Sequence, residues 1–156
     1  DGIFNSNWTG IVDDELAKLP PKMLKEFKKE GWTITLTSND VATTYCVNGE
    51  KKNTVQGVTL QNEKHIYIQL NDAAVKNAPI HEMGHWLDKH SLSEKKDFKD
   101  IYDKENEVFR MYFYDDKSIS EMFAEAVYVY YDDPKGLEYA CPKTYEYMRC
   151  LINKWK

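Results

Sequence analysis

Apolar and polar positions alternate most cleanly at two places along the chain. Trp32-Thr-Ile-Thr-Leu-Thr37 sets Trp32, Ile34 and Leu36 on one face, and His65-Ile-Tyr-Ile-Gln-Leu70 sets Ile66, Ile68 and Leu70 on one face. A period of two is the mark of a half-buried strand. Asn48-Gly49 is a hairpin signal, so Thr43–Val47 and Asn53–Leu60 are expected as its two strands. Upstream, Asp13–Lys18 and Pro21–Glu30 read as helical, with Leu16, Leu19, Leu24 and Phe27 on one side. Pro20-Pro21 interrupts that helix, and Gly31 ends it. From Asp72 onward the period lengthens to that of helices, expected near 72–90, 94–109, 118–131 and 142–154.

The order is helix, small sheet, then mostly helix, which is an α+β fold. A chain of 156 residues is read as a single domain, 1–156. Within it a sheet lobe is expected over about 1–71, a helix over about 72–90 and a helical lobe over about 91–156. There is no internal repeat or low-complexity stretch. A net charge of −5 argues against a nucleic-acid partner and an anionic membrane surface, both of which reward basic patches. No apolar run approaches the roughly 20 residues of a membrane span. No signal segment is visible before Asp1, so a mature form or an excised domain is expected. Cys46, Cys141 and Cys150 include no CxxC pair, and their disulfide state stays open.

His81-Glu82-Met-Gly-His85 carries chemistry of its own. Residues i and i+4 of a helix sit about 40° apart, so the two imidazoles can converge on one ion. Glu82 is turned about 100° from His81, away from that shared face. There it is suited to take a proton from a zinc-activated water. A catalytic zinc needs a third protein ligand and an open position. A metzincin would place a Gly at 88 and a His at 91, where this chain has Asp88 and Ser91, and nothing around Cys46 resembles the cysteine motif of a deformylase. A glutamate from a later helix remains. Ser118–Tyr131 offers Glu121 and Glu125, again at i and i+4, beside an apolar stripe of Ile119, Met122, Phe123, Ala126, Val127 and Tyr130. Glu121 is assigned as third ligand, and Glu125 as the carboxylate that orients a ligand imidazole.

Glu121-Met-Phe-Ala-Glu125-Ala, beginning 36 residues after His85, resembles the catalytic domain of anthrax lethal factor and the clostridial Pro-Pro endopeptidases of the same superfamily. The zinc helix itself, His81 to Asp88, is similar to the lethal-factor form. Ala140-Cys-Pro-Lys-Thr-Tyr145 is similar to the closing segment of the endopeptidases, and Ile11–Thr37 to the usual start of such domains. The resemblance implies a zincin-like fold of the gluzincin type, one Zn2+ per chain, and the same roles for Glu121 and Glu125. It adds Tyr114, seven residues before Glu121, as a phenol beside the metal that can donate to an oxyanion. It also points to Asp88 as a supporting group behind the ligands. Such peptidases are similar in laying an extended substrate along a sheet edge beside the zinc helix. Ile66, Tyr67, Ile68, Gln69 and Leu70 are therefore expected to form that edge strand, with the 110–117 loop shaping the neighbouring pocket.

The function expected is a zinc-dependent metalloendopeptidase acting on a protein or peptide in extended form. As a domain it is expected to be a monomer, and the resemblance implies a secreted bacterial protease or a toxin-borne virulence factor. The alternative is a zincin-fold binding module without turnover. Cleavage specificity, including whether Pro-Pro bonds are cut, is not read from these residues.

Overall fold

Trp8, Ile11 and Val12 carry the first helix further towards the N-terminus than Asp13. In the computed structural model, which describes residues 7–45, 55–114 and 118–156, α1 spans Trp8–Leu16 and buries Val12. The Trp8 indole donates to Asp72 Oδ1 at 2.8 Å, which anchors this early start. Helix α2 spans Pro21–Lys29, with Pro21 in the first turn, where a missing N–H costs nothing. Its end is a Schellman turn. Gly31 takes φ +84, its N–H bonds the Lys28 carbonyl at 3.0 Å, and Trp32 N–H reaches back to Phe27 O at 3.2 Å. The Phe27 and Trp32 rings then pack at a tilt with centroids 5.7 Å apart, closing the turn with an apolar contact.

The chain forms two compact units, residues 1–82 and 83–156. The first holds a mixed three-stranded sheet. Strand β1 is Thr33–Thr37, β2 is Gly57–Leu60 and β3 is His65–Gln69, in the order β1-β3-β2. Strand β3 runs parallel to β1 (Thr33↔His65 to Thr37↔Gln69) and antiparallel to β2 (Gly57↔Ile68 to Leu60↔His65). Ile66 and Ile68 are fully buried, as alternation requires. The expectation of an edge strand at 66–70 is therefore corrected. Residues Ile66, Tyr67, Ile68 and Gln69 lie in the central strand, paired on both sides, and Leu70 follows its end.

Strand expectation also fails at Thr43. Residues Val41–Thr44 form a short helix, α3, because the Asp40 carboxylate accepts the Thr43 N–H at 2.7 Å and caps it. Local capping here outweighs the β preference of Val and Thr. The Asn48-Gly49 turn and Cys46 lie outside the described residues. Helix α4, Ala74–Leu87, follows the sheet and contains the sequence boundary between the two units. Pro79 lies inside it and removes the amide that Val75 O would otherwise receive.

In the second unit a 3-10 turn, Asp88–His90, leads to α5, Lys96–Tyr112. Helix α6, Ile119–Asp132, is capped by the Ser118 hydroxyl, and its apolar stripe buries Met122, Phe123, Ala126 and Val127. Helix α7, Pro134–Ala140, falls between expected elements. Asp133 caps it through Gly136 N at 2.9 Å, and Pro134 opens its first turn. Helix α8 spans Pro142–Asn153. Its N-terminus is held by the buried Glu105 of α5, which accepts Lys143 N, Thr144 N and Thr144 Oγ1 at 3.0, 2.9 and 2.7 Å. Trp86 is fully buried, its ring 5.7 Å from that of Trp155, with Lys89 Nζ 4.2 Å above its centroid. The fold is α+β.

Candidate metal centre and active site

Helix α4 presents His81 and His85 one turn apart, both half-buried. Helix α6 brings Glu121 from its first turn, and Glu121 Oε1 lies 3.2 Å from His85 Nε2. One ligand atom from each of His81, His85 and Glu121 lies within 4.8 Å of the other two. Two ligands of one tetrahedral ion stand about 3.4 Å apart when each is near 2.1 Å from it. The His85–Glu121 separation matches that figure. Two neutral imidazoles and a carboxylate form a borderline donor set suited to a first-row dication, so the residues present fit a metal of the zinc type.

Gly84 explains how α6 comes this close. A Cβ on Gly84 would meet Ala124 Cα at 2.6 Å and Ala124 O at 2.8 Å. No residue with a side chain fits there without a shift.

Asp88, at the exit of the helix, accepts Ser93 N at 2.7 Å, Ser93 Oγ at 2.6 Å and Ser120 Oγ at 3.1 Å. Its carboxylate thus joins the end of α4 to the residue before Glu121. Glu125 is half-buried one turn beyond Glu121 on α6. Tyr114 stands just after α5 and is 40% exposed. His65 has one nitrogen 2.9 Å from Thr33 Oγ1 and the other 2.8 Å from Thr35 Oγ1, which engages both on the sheet.

Glu82 follows His81 and is buried, at 4% exposure. Its carboxylate is met by β2. Thr59 Oγ1 donates to Glu82 Oε2 at 2.6 Å, and a Cβ on Gly57 would lie 2.7 Å from Oε1. These two contacts are absent from the expectations drawn from sequence. A glycine inside a strand, two residues from a threonine, is the signal that was available.

Known proteins agree with this arrangement at the level of fold. The chain superposes on the Pro-Pro endopeptidase from Paenibacillus alvei with a TM-score of 0.75 and 24% identity, over 97% of this chain and 94% of that one. No curated protein sequence matches it. The family model of the anthrax toxin lethal factor, N- and C-terminal domain, matches residues 1–151. With nearly its whole length matched, the chain belongs to the anthrax toxin lethal factor domain family.

Proposed function

We propose that this chain is a zinc-dependent endopeptidase. The observation that carries the reading is the convergence of His81, His85 and Glu121, with Glu82 beside them in sequence, in a chain folded like a Pro-Pro endopeptidase. His81, His85 and Glu121 would hold one zinc ion. When bound, zinc supplies Lewis acidity, acidifying a water and polarising the scissile carbonyl. Glu82 takes the proton from the attacking water and returns it to the departing amine. Tyr114 donates to the carbonyl oxygen as it gains negative charge. Glu125 and Asp88 steady the ligands, Asp88 through Ser120.

An extended peptide substrate needs a strand with an unoccupied side. Strand β3 is paired on both sides, so the role passes to β2, which pairs only with β3 among the described residues. Strand β2 is also the strand that touches Glu82. On the family resemblance, the activity belongs outside the producing cell.

The test is a peptide-library digest with wild type and Glu82→Gln, alongside metal analysis. Wild type is expected to carry one zinc per chain and to cleave. Chelation should abolish cleavage, and added zinc should restore it. Glu82→Gln should keep its zinc and lose at least about a hundredfold in kcat. Wild type that binds zinc and cleaves no peptide would make this a binding module instead.

A further inference from the structure

We infer that Thr59 is a positioning residue for Glu82, and that Gly57 is the space this positioning requires. The inference rests on the peptidase reading above.

A buried carboxylate needs hydrogen-bond donors. The Thr59 hydroxyl lies 2.6 Å from Glu82 Oε2 and 3.2 Å from the Glu82 carbonyl oxygen. It has one proton, and the shorter bond to the charged oxygen takes it. Holding Oε2 stops the carboxylate from turning about its terminal torsion, which is otherwise broad. Oε1 is then the oxygen left to receive a proton.

Gly57 borders that same side. A Cβ there would lie 2.7 Å from Oε1 and 2.9 Å from Cγ of Glu82. Gly57 and Thr59 are two apart on β2, so both face the carboxylate, while Val58 points away. Their pairing with Ile68 and Ile66 of β3 sets where each stands along the strand. The strand thus presents one donor and one gap to Glu82, each matched to a different oxygen.

The test compares wild type, Thr59→Val, Thr59→Ser and Glu82→Gln on one cleaved peptide. Thr59→Val keeps the shape and removes the donor. It should lower kcat about tenfold or more, a part of what a general base supplies, with KM within about twofold and zinc still at one per chain. Thr59→Ser should restore most of the rate. In a crystal structure of Thr59→Val, the Glu82 carboxylate should take a different rotamer. Thr59→Val with wild-type kcat, Thr59→Ser as damaged as Thr59→Val, or an unmoved Glu82 would each overturn the inference. If wild type cleaves and Glu82→Gln does not, those results sink only the role of Thr59. If wild type cleaves nothing, the peptidase reading and this one fall together.

Discussion

A Cβ placed on Gly84 would lie 2.6 Å from the Cα of Ala124, so α4 and α6 meet backbone to backbone immediately before His85. That approach lets His85 Nε2 and Glu121 Oε1 stand 3.2 Å apart. The spacing of these two candidate ligands therefore depends on the absence of one methyl group.

Gly84→Ala should separate the helices and loosen the metal site. Overpacking of this kind costs about 1–3 kcal/mol of stability. Zinc affinity should fall by about tenfold or more, because ligand spacing depends on that contact. Thermal melts of the metal-free protein and a competitive zinc titration measure the two effects separately. Unchanged zinc affinity in a folded Gly84→Ala protein would show that the close approach does not set the ligand spacing.

Asp88 joins the exit of α4 to Ser120, the residue before Glu121. Asp88→Ala should cost about 1.5–3 kcal/mol, as hydrogen bonds to a charged group do. It should also weaken zinc binding by roughly 10- to 100-fold, as the loss of a ligand's outer partners does. Ser120→Ala, which removes only the 3.1 Å bond, should show a smaller loss of zinc affinity. If Asp88→Ala loses stability and keeps full zinc affinity, Asp88 only closes the turn with Ser93.

Cys141 is fully buried, and burial together with the neighbouring Glu105 charge pushes its thiol from an ordinary value near 9 up to about 12. The folded chain therefore holds that proton where the unfolded chain has released it. Stability from this group is complete below about pH 9 and falls as pH rises towards 12. Burial pushes the Tyr131 phenol from 10.0 up to about 12, in the same direction. Urea melts between pH 8 and pH 11 should show decreasing stability, and Cys141→Ala should flatten part of that slope. At pH 8 an alkylating reagent should label the exposed Cys150 and spare Cys141 until the protein unfolds. Equal labelling of both in the folded protein would contradict the burial.

The elements that were legible in the sequence are those specified locally. Pro21 and Gly31 bound α2, and strict alternation marks β1 and β3. His81, His85 and Glu121 were legible as candidate ligands because the pairs His81/His85 and Glu121/Glu125 sit at helical spacing, i and i+4, and the fold brings these three together. Strand order was not, since β1 pairs with a strand 32 residues later and no local pattern says which strand takes the middle. Thr43 was read as strand from the Asn48-Gly49 hairpin signal, when the deciding group was the Asp40 carboxylate three residues before it. Helix α7 is seven residues long, too short for a period to emerge, although Asp133-Pro134 is a good start signal. Thr59 and Gly57 were missed because their meaning depends on Glu82, 23 residues away from Thr59 in sequence.

The turn between β2 and β3 links chain length to chemistry. Residues 61–64 join Leu60 to His65, with Lys64 held at φ 52. Side chains on a strand alternate, so sliding β2 by one residue against β3 would withdraw both Gly57 and Thr59 from Glu82 and deliver the isopropyl group of Val58 in their place. The four-residue turn is in effect a ruler. Its length decides whether the carboxylate meets a hydroxyl and a gap or an apolar wall, so a one-residue insertion there would take that hydroxyl from Glu82, the proposed base, while leaving every candidate site residue in the sequence intact.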